Sequence, residues 1–369
     1  MPEFIHGLEL CRRFYREAVR PVLDAEFPGL QHAAALIGPG SEVLGLDTEQ
    51  STDHHWGPRA MLFLREEDYA REKDRLFEVF RWRLPHRFLG YATNFAQPAP
   101  EDPGVRLLKP TKSGPIDHRV EIHTVAGFVR DYLAVDLANQ LTALDWLSIP
   151  QQRLVTFVGG AVFHDEVGLE EARRRFAYYP CEVWLYMLAS QWARIGQEEH
   201  LVGRAGQAGD ELGAALIAAR LVRDAMSLCF LMERQYWPYA KWFGTAFMRL
   251  RAGPQLAPMS AAALAARGWQ ERDKQLAGIY EFLARQHNAL GLTSPIAESA
   301  SPFWSRPFRV IHGDRFADAL LALIEDGEVK RLAQAAALGN IDQISDNVNA
   351  LENTPRQAAK CFYQHEDSP

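Results

Sequence analysis

The chain of 369 residues is poor in cysteine. Its four cysteines (Cys11, Cys181, Cys229 and Cys361) are scattered and make no Cys-x-x-Cys pair. That argues against a disulfide framework and for free thiols in a reducing cytosol. Long apolar runs are missing too: none approaches the ~20 residues of a membrane span, so no membrane partner is expected. The opening Met1-Pro2-Glu3-Phe4 lacks a basic stretch leading into an apolar core, so no signal peptide is expected and the localisation reads as cytoplasmic. Excess positive charge is also absent. With 40 Lys+Arg against 47 Asp+Glu the net charge is −7, which disfavours nucleic acid as a partner while leaving room for a local basic groove. No repeat, low-complexity segment or Ser/Gly linker interrupts the chain. What is present is ordinary globular composition, 47% hydrophobic and 24% charged, in a chain long enough for two domains with full cores.

Apolar periodicity lays out the elements. Leu8, Cys11, Phe14, Val19 and Val22 recur near three-to-four spacing, which predicts a helix from Phe4 to Phe27, kinked or split at Pro21. Ala33–Ile37 and Ala60–Leu64 read as strands on either side of a glycine turn. Glu66 to Leu84 reads as a charged helix with Leu76, Val79, Phe80 and Leu84 as its apolar side, stopped by Pro85. Pro98, Pro100, Pro103 and Pro110 mark a long loop over 97–113. Arg119–Val125 alternates, which puts Glu121 and His123 on one face of a strand and Val120 and Ile122 on the other. A helix over 126–135 follows, then a strand over 153–158 running into Gly159-Gly160.

From about Tyr178 the pattern changes to long helices. Trp184, Met187, Leu188, Trp192 and Ile195 form one stripe; Leu212, Leu216, Ala219, Val222, Met226 and Cys229 form another, with Gly203, Gly206 and Gly209 separating them. Helices over 239–251 and 269–290, a short strand over 308–311 and a helix over 316–326 complete the chain. The predicted fold class is α+β: a small mixed sheet with helices in residues 1–177, then a mainly helical bundle in 178–369 with a short mixed tail.

The stretch with the most chemistry is Ile37-Gly38-Pro39-Gly40-Ser41-Glu42-Val43-Leu44-Gly45, followed by Ser51-Thr52-Asp53-His54-His55-Trp56. A Gly-Ser turn after a strand lets backbone N–H groups and a hydroxyl approach phosphate oxygens, because glycine has no Cβ in the way. A carboxylate entering the next strand can hold the metal that bridges those phosphates. Asp53 is the first such carboxylate, and a turn aspartate capping local backbone is the plainer reading of it. Glu121 on a neighbouring strand offers a second, although Glu is common on an exposed strand face. His55 and His123 suit zinc, manganese or iron better than magnesium, and His54 and His55 also read as turn residues. Asp47-Thr48-Glu49 reads as a loop acidic pair, for binding or for helix capping. Lys241, amid Trp237-Pro238-Tyr239-Ala240-Lys241-Trp242-Phe243, is a phosphate ligand, a base, or a side chain extended over aromatic rings toward water. Arg204 and Arg223 are weaker candidates for phosphate. His312-Gly313-Asp314 lacks the downstream Asn of a kinase-like loop.

Gly40-Ser41, eleven residues, then Asp53-His54-His55 leading into a strand resembles the polymerase-beta-type nucleotidyltransferase superfamily, whose Gly-Ser pair precedes Asp-x-Asp or Asp-x-Glu. Longer segments resemble one branch, the domain-of-unknown-function 4037 proteins. These are Gly40–Asp47, Ser51–Arg59, Pro238–Phe247 and Asn340-Ile341-Asp342-Gln343. The resemblance implies a nucleotidyltransferase-like sheet domain and transfer of a nucleoside monophosphate from a nucleoside triphosphate, ATP being the leading choice, to an unidentified small or macromolecular acceptor. It implies Gly40, Ser41, Arg59 and Lys241 at the nucleotide, and Asp53, Glu121 and Lys241 in catalysis. Asp53, His55, Glu121 and His123 would hold Mg²⁺ or Mn²⁺. His55 departs from the pattern by standing where the second carboxylate belongs. Two alternatives stay open on that account: a catalytically inactive nucleotide or small-molecule binder on the same fold, and a His/Asp metal-dependent hydrolase.

Overall fold

A computed structural model of the chain describes residues 3–53, 56–97, 106–335, 337–353 and 359–363. His54, His55 and residues 98–105 of the expected loop lie outside the described residues. The chain divides into two compact units, one of residues 1–140 with 153–177 and the other of residues 141–152 with 178–369.

The first unit opens with α1 (Gly7–Phe14), a π turn (Tyr15–Val19) and α2 (Arg20–Glu26). Pro21 does not break the helical path. It lies in the first turn of α2, where its missing N–H and its ring are tolerated, and the wider π turn before it takes up the mismatch. Strand β1 (His32–Leu36) follows, then β2 (Arg59–Leu64) and α3 (Glu66–Arg83). Next come a small hairpin, β3 (Arg87–Phe88) with β4 (Tyr91–Ala92), then β5 (Arg119–Thr124) and α4 (Val125–Leu133).

The chain then contributes α5 (Ala143–Ser148) to the second unit and continues as α6 (Gln151–Val158), β6 (Ala161–Asp165) and α7 (Leu169–Arg174). The expected strand over 153–158 is therefore a helix. Leu154 and Phe157, three apart, are fully buried while Val155 and Val158 are only half-buried, a helical spacing hidden beneath a β-branched composition. The strand lies past Gly159-Gly160, in β6.

The sheet order is β5-β2-β1-β6. β2 and β5 run parallel with Met61 opposite Glu121, whereas β1 pairs antiparallel with both β2 and β6. Leu62, Leu64, Val120 and Ile122 join Leu10, Phe14, Leu76 and Phe80 in one core. Because side chains alternate along a strand, Arg59, Met61, Phe63, Arg119, Glu121 and His123 take the opposite face.

The second unit is mainly helical: α8 (Cys181–Glu198), α9 (Leu201–Gln207), α10 (Glu211–Met232), α11 (Ala240–Phe247), α12 (Gly253–Ala265) and α13 (Trp269–Ala289). A short hairpin, β7 (Ser301–Pro302) with β8 (Arg309–Val310), precedes α14 (Gly313–Leu321). Gly203 and Gly206, expected to separate two helices, are buried inside α9. A Cβ on Gly206 would meet Trp269 Cγ at 2.0 Å, and one on Gly203 would meet Phe308 at 2.3 Å. They are glycines because neighbours press against the helix, not because the chain turns there. Trp192 of α8 stacks on Phe316 of α14 at 4.2 Å between ring centroids. Among the described residues, no helix is long and apolar enough to cross a membrane.

Candidate functional site

The chain leaves β1 through Ile37 and turns at Gly38-Pro39-Gly40, with φ of 82° at Gly38 and 146° at Gly40. The Gly38 N–H donates to the Thr156 carbonyl at the end of α6, at 2.9 Å. Arg59 Nη2, from the first residue of β2, donates to the Pro39 carbonyl at 3.1 Å and to Glu42 Oε1 at 2.5 Å. Both partners of this ion pair are buried. A Cβ on Gly40 would lie 2.7 Å from Glu42 Oε2 and 2.8 Å from Arg59 Nη2, so space and φ both demand glycine. Ser41 leads into a 3₁₀ turn over Glu42–Leu44 with its hydroxyl unused as a cap, and Gly45 ends that turn in the left-handed region.

Glu121 shares the Arg59 face of the sheet. Arg119 Nη2 donates to its Oε1 at 3.1 Å, and His123 Nε2 stands 3.6 Å from its Oε2. Burial raises the carboxyl, but His123 and the guanidinium charges of Arg59 and Arg119 outweigh it and hold the group at about 2. Arg119 is itself pulled down from its ordinary value, first by burial and then by the neighbouring Arg59 charge. Arg59 and Arg119 are register partners on β2 and β5, and two like charges so placed favour an anion beside them. Arg59 Nε and His123 Nε2 are buried without a hydrogen-bond partner among the described residues. His123 lies against Phe63 and Phe128, and Phe128 Cζ is 3.5 Å from where a Gly38 Cβ would sit, so the turn and the His123 cluster adjoin.

A cleft of about 600 Å³ opens along β5, lined by Lys73, Asp74, Arg106, Asp117, Arg119 and Glu121 among others. Its walls carry both signs of charge, as a metal-bound phosphate requires: carboxylate for the cation, guanidinium and ammonium for the oxygens.

Of the residues nominated from the sequence, the fold brings Gly40, Arg59, Glu121 and His123 onto one sheet face, with Ser41 beside Gly40. The backbone of Asp53 ends a 3₁₀ turn, Glu49–Asp53, and its side chain lies outside what is described, as does all of His55. Asp47 resolves as a cap: it accepts from the Gly7 N–H at 2.6 Å, on the first turn of α1, and from Trp56 Nε1 at 3.2 Å. Glu42 was not nominated. Its signal, an acid in a glycine turn, has meaning only once Arg59, 17 residues on, folds beside it.

Lys241 belongs to the second unit. It is exposed, with Nζ 5.0 Å from the centre of the Trp242 ring. A cavity of about 310 Å³ next to it is lined by Arg223, Trp237, Tyr239, Phe243, Asp342 and Asp346, among others, but not by Lys241. Asp342 Oδ2 accepts the Gln151 N–H at 2.9 Å, Gln151 Oε1 accepts the Trp237 N–H at 3.3 Å, and Asn340 and Gln343 make a reciprocal capping box. Burial drives the Asp342 carboxyl up to about 7 against the Gln151 N–H, its own N–H, the Arg223 charge and the Asn340 amide. A further cavity of about 750 Å³ is lined by Glu199, His200, Trp304, His312 and Asp314, among others. There Glu199 accepts the N–H groups of Ile311 and Gly313 at 2.5 and 3.1 Å.

Residues 146–243 match the family model of DUF4037, a domain of unknown function. The match runs from within α5 into α11, so it takes in Pro238–Phe243, while the segments around Gly40-Ser41 and Asn340–Gln343 lie outside it. No curated protein and no solved structure matches the chain.

Proposed function

We propose that the first unit binds a nucleoside triphosphate with Mg²⁺ or Mn²⁺ and transfers its nucleoside monophosphate to an acceptor. The observation that carries the reading is the convergence on one sheet face of a glycine turn, Arg59 and an ionised Glu121. Gly40 and Ser41 would offer their backbone N–H groups and the Ser41 hydroxyl to phosphate oxygens, the Gly38 N–H being taken by the Thr156 carbonyl. Arg119, with Lys73 and Arg106 on the cleft wall, neutralises phosphate charge. Arg59, bonded to the turn and to Glu42, fixes the turn against β2 rather than reaching out to ligand. Glu121 is the described oxygen donor for the cation, and His123 beside it suits Mn²⁺ better than Mg²⁺. When bound, the cation would screen charge developing on the phosphates.

The test is calorimetric titration of ATP, GTP, CTP and UTP with Mg²⁺ or Mn²⁺ into the wild type, Glu121→Ala and Asp53→Ala. The expected result is metal-dependent binding of a triphosphate, weakened tenfold or more in Glu121→Ala. No binding of any triphosphate would sink the reading. Binding without release of pyrophosphate across candidate acceptors would favour a non-catalytic binder, the reading that His55 in place of a carboxylate supports.

A further inference from the structure

We propose that His32, His164 and Glu166 form a site for a divalent transition cation of the zinc class, separate from the glycine-turn face. One ligand atom from each residue lies within 4.8 Å of the others. Tetrahedral zinc with bonds of about 2.0–2.1 Å sets its ligands about 3.4 Å apart, so small side-chain rotations close the set.

The sheet makes this cluster. Ala33 pairs with Asp165 and Ala34 with His164 across the β1–β6 ladder, and the Glu166 N–H donates to the His32 carbonyl at 3.1 Å. His32, His164 and Glu166 therefore share one face at the sheet's edge. The two imidazole rings are 4.7 Å apart.

The hydrogen bonds orient His32 as a ligand. Its Nδ1 lies 3.1 Å from the Leu30 carbonyl, which can only accept, so Nδ1 carries the proton. The lone pair is left on Nε2, which now meets the Tyr15 hydroxyl at 2.9 Å. A backbone carbonyl that fixes the far ring nitrogen is the usual outer support of a metal-bound histidine. His164 Nε2 is shielded from solvent and sits 3.1 Å from Glu166 Oε2, outside hydrogen-bonding geometry. Glu166 is exposed, accepts weakly from the His32 N–H at 3.4 Å and supplies the charge. Three protein ligands leave a fourth position for water, with the Tyr15 hydroxyl beside it. Among the described residues Arg20 stands near, its guanidinium bonded to Asp24 at 2.7 Å and to the Tyr15 hydroxyl.

His32 begins β1 and the glycine turn follows its end, so the two sites are about 20 Å apart along a strand rising about 3.3 Å per residue. They can be broken independently. The probe is Zn²⁺ alone, titrated against a chelating dye into the full chain and into His164→Ala, Glu166→Gln and Glu121→Gln. Zinc-free thermal unfolding checks that each variant folds. The expected result is a Zn²⁺ equivalent whose affinity falls by more than about tenfold in His164→Ala and less in Glu166→Gln. Any Zn²⁺ that Glu121→Gln fails to bind belongs to the glycine-turn face, and the equivalent lost in His164→Ala should remain in Glu121→Gln. No uptake by the wild type, equal uptake by His164→Ala, or a loss confined to Glu121→Gln would each overturn the proposal.

Discussion

Each unit holds carboxyl groups whose proton affinity has moved, and Glu121 of the first moves opposite to Asp342 and Glu199 of the second. In the first, Glu121 is held at about 2 because, against the pull of burial, His123, Arg59 and Arg119 face it. In the second, burial prevails: Asp342 and Glu199 both rise to about 7, opposed mainly by backbone N–H groups. A guanidinium supplies a whole charge, whereas an N–H supplies only a partial one. An acid facing a cleft and kept ionised is ready for a cation. A buried acid that keeps its proton to neutral pH serves instead as a tie between segments.

The most severe break in this contrast is Glu42→Ala. It leaves Arg59 buried without its main partner, and loss of one member of a buried pair destabilises by about 3–5 kcal/mol. Chemical denaturation measures it. A loss below about 1 kcal/mol would mean that Glu121 compensates, and that the two carboxylates share Arg59.

Smaller, and confined to the second unit, is Asp342→Asn. The folded Asp342 carboxyl titrates near 7, above its unfolded value of 3.8. The folded state therefore binds the proton more tightly, so the stabilisation is complete below about pH 4 and is lost as pH rises through 7. Within that window the group contributes a slope of about 1.4 kcal/mol per pH unit. Unfolding followed between about pH 4 and 7 should flatten by that amount in Asp342→Asn. An unchanged slope would place the titration elsewhere.

The smallest effect is expected for Arg119→Gln. Glu121 has a lowered pKa, so its contribution is present above the unfolded value of 4.5 and lost as pH falls toward 2. The side chain is 40% exposed, so solvent screens the gain. The readout is the Glu121 carboxyl followed by NMR titration, which should move upward in the variant. No movement would leave His123 and Arg59 as the groups that hold it.

Legibility in the sequence followed the range of each interaction. The alternation over 119–124 was readable because a strand with one buried face writes its period locally, and Glu121 and His123 fell on the face expected. The glycine turn was readable for the same reason. The helix over 151–158 was not: Val155, Thr156 and Val158 favour strand, and only burial of Leu154 and Phe157 shows the other period. Arg173 helps hold that helix end, donating to the Phe157, Val158 and Gly159 carbonyls from about fifteen residues on. Gly203 and Gly206 looked like punctuation because glycine carries the same letter whether a turn or a neighbouring tryptophan requires it. Glu42 and the edge cluster of His32, His164 and Glu166 depend on partners that only the folded sheet brings together.

The segment 141–152 has a consequence for how this protein is made and cut. Neither unit is one unbroken stretch of chain. As residues emerge from a ribosome, β1, β2 and β5 appear first, and their edge partner β6 follows only after a piece destined for the other unit has been released. Gln151 then waits 191 residues for Asp342. A fragment beginning at Tyr178 would leave behind the backbone donor that faces Asp342 and the side-chain oxygen that receives the Trp237 N–H, so the helical half should not survive excision at that point. The natural scissor mark between the long helices and the sheet is not one place in the sequence but three.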